Sequence, residues 1–274
     1  MAPVLRIKGT AERLARHDQA VVLGAVAMIV LLSVLYTVFG VGMTMTAVEM
    51  TRMAGPIGAP MQMGANNAWT PAFAGLIFLM WWIMMVAMMT PSAAPVLLLY
   101  TAIKKAGSRP QQAPLLSLAF LGGYLLVWAV FSIIATSLQW WLESWGLSDG
   151  PMMSLSSRAL GGALLLAAGA YQFTPYKHAC LFHCRMPVQF LTAHNRTGLA
   201  GAVLMGAHHG VFCLGCCWAL MLLLFAGGIM NLYWIAGLAL YVLAEKHVRN
   251  PRLFASSTGG LLLLAGVYVL ATAF

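Results

Sequence analysis

The chain has 274 residues, of which 61% are hydrophobic and only 8% charged, and it carries a formal net charge of +9. This composition excludes an ordinary soluble domain, where charged residues make up about a quarter of the chain. The cationic excess needs no nucleic-acid partner, because a multi-span membrane protein gathers its lysines and arginines in the loops of one side.

In chain order, apolar runs recur at about 20–40, 73–103, 114–142, 157–176, 199–226, 229–247 and 256–273. Each is near the roughly 20 helical residues needed to cross a hydrocarbon core of about 30 Å. The runs are unbroken and do not alternate, which argues against a β-barrel. The expectation is an all-α, polytopic transmembrane helical bundle of about seven spans, or six if the last is re-entrant. Residues 1–19 read as a basic arm and 20–274 as a single transmembrane domain, its first run a retained anchor and not a cleaved signal. Of the 15 lysines and arginines, 13 fall in the arm and the loops on its side, leaving Arg52 and Arg158 opposite. That bias puts the N-terminus in the cytoplasm of a bacterial inner membrane.

The first external loop, 41–70, contains "VGMTMTAVEMTRMAGPIGAPMQMGAN", with Met43, Met45, Met50, Met53, Met61 and Met63. Thioethers select soft ions such as copper(I), especially outside the cell where thiols oxidise, and Glu49 adds an oxygen. The alternative is a loop that folds back and packs its methionines as apolar filler. In the second span, "WWIMMVAMMTPSAAPVLLLY", Met84 stacks on Met88 and Met85 on Met89. Pro91 and Pro95 are expected to break the helix just beyond them, which makes Met88 and Met89 candidate ligands beside freed carbonyls. Plain packing is the competing reading for both.

After the fourth span comes a cytoplasmic loop, 176–198, opening with "YKHACLFHC". Cys180 and Cys184 are four apart, with His178 and His183 close by. A helical continuation would put both thiols on one face, and a loop could fold around an ion. A basic segment touching anionic lipid is the alternative.

The fifth span holds "GAHHGVFCLGCCWALM". At 100° per residue His209, Cys213, Cys216 and Cys217 fall within an arc of about 100° and a rise of roughly 12 Å. Ala202, Gly206 and Gly210 share that stripe and would admit a neighbouring helix closely, while His208 points elsewhere. Buried ionisable groups in a membrane are costly and mark sites or pathways. Against this stands the reading of cysteine as a small apolar core residue and histidine as interhelical glue. Five cysteines, an odd number, all facing a reducing compartment or lying in the bundle, favour metal binding or thiol redox chemistry over structural disulfides. The sixth span ends in "LAEKHVRN", where Glu245 beside Lys246 reads as an interfacial ion pair, with gating as the alternative.

The segments "MMVAMMTPSAAPVLLLY", "YQFTPYKHACLFHCRMP", "GAHHGVFCLGCCWALMLLLFAGGIMNLYW" and "LAEK" together resemble the bacterial family described as predicted metal-binding integral membrane proteins. The resemblance covers most of residues 75–250 and leaves the N-terminal arm and methionine-rich loop outside. It implies metal binding, and it places Cys180, Cys184, Cys213, Cys216 and Cys217 at the family's cysteine positions. His183, His208, His209, Met88, Met89 and Pro91 fall in the same blocks.

Together these readings predict a membrane protein that handles a soft ion, copper(I) foremost, with zinc or another thiophilic metal able to use the same thiols. Met43 and Met45 would capture the ion outside, the His209 and cysteine face would hold it, and Cys180 with Cys184 would exchange it inside. The expected partners are the lipid bilayer and a metallochaperone or membrane metalloenzyme. Two other classes compete: a membrane thiol-disulfide oxidoreductase cycling Cys213 and Cys216, and an assembly factor or sensor that binds metal for a membrane partner.

Overall fold

The computed structural model describes residues 2–43, 45–57, 69–107, 109–149 and 153–273, with the backbone alone for 2–19 and 149. The helices in chain order are α1 (Ala2–Phe39), α2 (Ala47–Arg52), α3 (Pro71–Lys105), α4 (Ala113–Ser144), α5 (Arg158–Tyr171), α6 (Pro175–Arg185), α7 (Pro187–Ala193), α8 (Gly198–Gly227), α9 (Leu232–His247) and α10 (Pro251–Ala271). Among the described residues the one extended pairing is an antiparallel ladder, β1 (Ser148–Asp149) with β2 (Ser154–Leu155). The fold is all-helical, as expected.

Among the described residues, five helical stretches are long and apolar enough to cross a membrane: 20–39, α3, 110–144, α8 and α10. Their outer surfaces suit lipid. Leu31 and Leu32 on α1 and Leu261, Leu264 and Val267 on α10 are each more than half exposed, an arrangement that water would penalise. The fourth and sixth apolar runs differ from expectation. The fourth is cut after Tyr171, because Thr174 accepts from Lys177 N and caps a new helix with Pro175 at its first position. Its α5 has 14 residues and covers about 21 Å. The sixth run forms α9, of 16 residues, covering about 24 Å.

Two further expectations are corrected. The helix does not break at the prolines: α3 runs continuously through Pro91 and Pro95. Each proline removes one backbone donor, a loss that a helix packed against α1 and α4 sustains. Nor is the stretch after the fourth run an open loop: of its two readings the helical continuation holds, as α6 and α7, with α6 lying along α8.

Small residues set the packing. α3, α4 and α8 are central, with 50%, 50% and 61% of their most apolar windows buried, against 22% for α1 and 17% for α10. On the α4–α8 seam Gly123 lies on the Val203 carbonyl and Gly206 on the Phe120 carbonyl, so a side chain at either would collide with backbone. The stripe of Ala202, Gly206 and Gly210 is thus the face that admits α4. A second seam joins α5 to α10, where Gly169 meets Gly259 and Gly162 meets Gly266.

The segment after α1 folds onto the bundle. Thr46 and Glu49 form a capping box that starts α2: Glu49 N donates to Thr46 Oγ1 at 3.3 Å, and Thr46 N donates to Glu49 Oε2 at 2.8 Å. Those bonds hold the Glu49 carboxyl below the usual carboxylate range. Leu232 N donates to Thr51 Oγ1 at 2.9 Å, tying α2 to the start of α9. Met50 is buried, and Met43 and Met45 are half-buried against the core. Met61 and Met63 lie outside the described residues.

Candidate metal centre

With α4 pressed against its glycine stripe, α8 turns its sulfur face inward. His209, Cys213, Cys216 and Cys217 are each at most 1% exposed, whereas His208 is exposed. The thiols of Cys216 and Cys217 each donate to the Cys213 carbonyl at 3.0 Å, one turn back along the helix. Cys213 Sγ is the hub. It lies 3.2 Å from the Tyr124 hydroxyl of α4 and 3.2 Å from the Lys246 ammonium of α9.

Two other segments bring sulfur to this face. From α3, Met89 Sδ stands 4.0 Å from Cys217 Sγ, and the Met89 carbonyl accepts from the Tyr124 hydroxyl and from Ser92 Oγ. From α6, which packs along α8, the buried Cys184 thiol lies in the neighbourhood of Cys213 and Cys216. Cys180 Sγ lies over Gly215, where a Cβ would come within 2.6 Å, and the Tyr171 hydroxyl donates to the Gly215 carbonyl. A glycine in α8 is therefore what lets α6 dock at the depth of the cysteines.

His209 is the unresolved polar group of this interior. Its ring packs 5.8 Å from Tyr124 and 5.4 Å from Phe190 between centroids. Among the described residues neither ring nitrogen has a hydrogen-bond partner. Leaving such a group unsatisfied costs roughly 1–3 kcal/mol, so the fold maintains a lone pair there at a loss.

The remaining candidates are spread out. His183 stacks on Phe212 at 4.2 Å and 3°, and its Nδ1 is 2.9 Å from the Ala179 carbonyl. His208 lies edge-on to His194 at 4.9 Å. Met88 is buried in the core. Met43 and Met45 sit on the chain that precedes α2.

All five cysteines are free thiols. Among the described residues no three His, Cys, Asp or Glu side chains form a ready cluster for a metal ion. A closed tetrahedral zinc site is not what this arrangement offers. The donor set is soft, dry and paired: thiol beside thiol, and thiol beside thioether. That suits copper(I), an ion that soft sulfur ligands select, as cargo.

Sequence reasoning missed Lys246, Tyr124 and Ser92. It also paired Glu245 with Lys246 at an interface, which the structure corrects. Adjacent helix residues point about 100° apart and do not face each other. Glu245 instead pairs with Lys177 of α6 at 2.8 Å, both side chains fully buried, and accepts from the Tyr241 hydroxyl at 3.0 Å. Lys246 turns the other way and donates to Ser92 Oγ at 2.8 Å as well as to Cys213. Two lysines assigned to inner-side loops are therefore interior groups. The signal was available in the charge doublet itself, since two buried neighbours on a helix need two separate partners.

The fold and its interior define an all-helical, bilayer-compatible bundle with a core of soft donors. The copper chaperone family described as PpoB2 matches residues 78–269, over two thirds of the chain, and the chain belongs to that family. The match runs from within α3 through most of α10, so it takes in every cysteine, Met88, Met89 and Lys246, and leaves out α1, α2, Met43 and Met45. No curated relative and no solved structure matches the chain.

Proposed function

We propose that the protein carries copper(I) within a bacterial inner membrane and delivers it, by thiol exchange, to a membrane-associated metalloenzyme or metallochaperone. The carrying observation is convergence: α3, α6 and α8, far apart in sequence, bring the buried Met89 and Cys184 to the face of α8 that holds its three buried cysteines. Cys213 and Cys184 serve as the principal ligands, with Cys216, Cys217 and Met89 as exchange partners and His209 as the neighbouring nitrogen donor. Low-coordinate copper(I) needs only two or three such donors at a time, so short thiol-to-thiol steps suffice.

In this reading α5 with α6 and α7 makes one broken crossing and α9 another, so the chain spans seven times with its N-terminus in the cytoplasm. Cys213 then lies roughly 22 Å along α8 from Gly198, well inside the bilayer. His183 and His208, on the α6 side of α8, form the route between this seat and the cytoplasm, Cys180 over Gly215 is a further exchange thiol at the depth of the cysteines, and Met43 and Met45 form the outer contact.

The test is elemental analysis of purified protein loaded with copper(I), beside a variant with Cys213, Cys216 and Cys217 replaced by serine. The expected result is stoichiometric copper in the parent and none in the variant, at equal helical content by circular dichroism. Equal copper in both would refute the assignment. A reproducible disulfide titrating at a defined potential, without retained copper, would support the oxidoreductase reading instead.

A further inference from the structure

Among the described residues three charged side chains are buried in this interior: Lys177, Glu245 and Lys246. The first two neutralise each other at 2.8 Å. Lys246 is left over. Among the described residues its ammonium has hydrogen bonds only to a hydroxyl, Ser92 Oγ at 2.8 Å, and a thiol sulfur, Cys213 Sγ at 3.2 Å. No salt bridge to a carboxylate is formed by Lys246 among those residues. An ammonium buried without an anion is among the most costly arrangements in a protein, and more so in a bilayer. The anion able to meet it here is a thiolate at Cys213.

This has a consequence for the cargo. A linear bis-thiolate complex of a monovalent ion carries one negative charge, and beside Lys246 the assembly is neutral. The same two thiolates around a divalent ion are already neutral, and Lys246 would leave one positive charge buried. We propose that Lys246 is the charge-selecting residue of the thiol site, favouring a monovalent soft ion over a divalent one of the same geometry. This rests on the reading of the cysteine face as the copper seat.

Loading conserves charge. Copper(I) arrives on two thiolates of a donor as an anionic complex and is taken by the Cys213 thiolate and a second thiol, such as Cys184. Two donor sulfur–copper bonds break and two new ones form. The proton of the second thiol passes to one departing donor thiolate, and the other leaves as the anion. Copper stays monovalent throughout, and the interior beside Lys246 is neutral before and after.

Copper(I) and mercury(II) test this well, since both are soft and both accept two thiolates in a line, but they differ by one charge. Full-length protein is loaded separately from thiol-buffered copper(I) and thiol-buffered mercury(II), and retained metal is measured by elemental analysis. Lys246→Arg keeps the charge. Lys246→Met removes it, and Lys246→Gln removes it while keeping a donor toward Ser92 and Cys213, so that one neutral variant remains if the other fails to assemble. The expected result is a copper-to-mercury ratio at least tenfold lower in the neutral variants, with mercury held or increased, and a ratio near the parent's in Lys246→Arg. A neutral variant that assembles with the parent's ratio overturns the inference, as does equal loss of both metals, which would mark Lys246 as structural only. Parent protein that retains mercury but no copper(I) overturns the copper reading itself, and is distinguishable from either result.

Discussion

The buried face of α8 and the segment around α2 are both rich in sulfur, yet the bundle treats them differently. Around α2, backbone and side-chain polar groups are satisfied locally, by the Thr46–Glu49 capping box and the Thr51–Leu232 bond, and Met50 is packed as apolar bulk. At α8 the interior holds a histidine whose nitrogens have no partner among the described residues and an ammonium facing a thiol. The comparison teaches that sulfur content alone does not mark a ligand set. What marks it is polar or charged chemistry that the fold could have removed and did not.

The strongest way to break that contrast is to exchange the two regions' expected effects. Cys213→Ser is expected to abolish copper retention at unchanged helicity, while the double variant Met43→Leu, Met45→Leu lowers retention less than twofold. Comparable losses by elemental analysis would mean that the two regions form one site. Next in size is Gly206→Leu, which forces a side chain onto the Phe120 carbonyl. It is expected to cost at least the roughly 1–3 kcal/mol typical of overpacking, read as a lower thermal midpoint in detergent together with reduced copper content.

A subtler probe is His209→Phe. Replacing the unpartnered imidazole by an apolar ring should raise metal-free stability by up to about 1–3 kcal/mol and lower copper retention. A variant less stable than the parent in metal-free protein would show that the nitrogens are satisfied after all. The smallest effect concerns Glu49. Its folded carboxyl titrates below the ordinary range because it accepts from Thr46, so its contribution is complete above that ordinary range and is lost as pH falls through the lowered value. Hydrogen exchange of the α2 amides should therefore quicken only under acid conditions, and Glu49→Gln should remove this pH dependence.

Much of this was legible in the sequence. Apolar run lengths announced the helices, and the 100° step put His209 and the three α8 cysteines on one face with Gly206 and Gly210, which is the face the bundle buries. Other features were hidden because they depend on who meets whom. Cys184 looked like a loop residue until Thr174 capped α6 and Gly215 gave that helix a place to dock. Pro91 and Pro95 looked like a break, but local propensity yields to packing in a helix enclosed by its neighbours. Lys246 looked interfacial because a charge near a helix end ordinarily is, and only the tertiary structure shows it turned into the sulfur.

One short helix links these features mechanically. Cys184, Lys177 and Arg185 all belong to α6: the first is buried beside α8, the second pairs with Glu245, and the third donates to the carbonyls of Glu245 and Val248 at the end of α9. To withdraw Cys184 from Cys213, α6 must part a fully buried ion pair and strip the last turn of α9 of its guanidinium. Release of a thiol from the centre is thereby latched to the helix that carries Lys246.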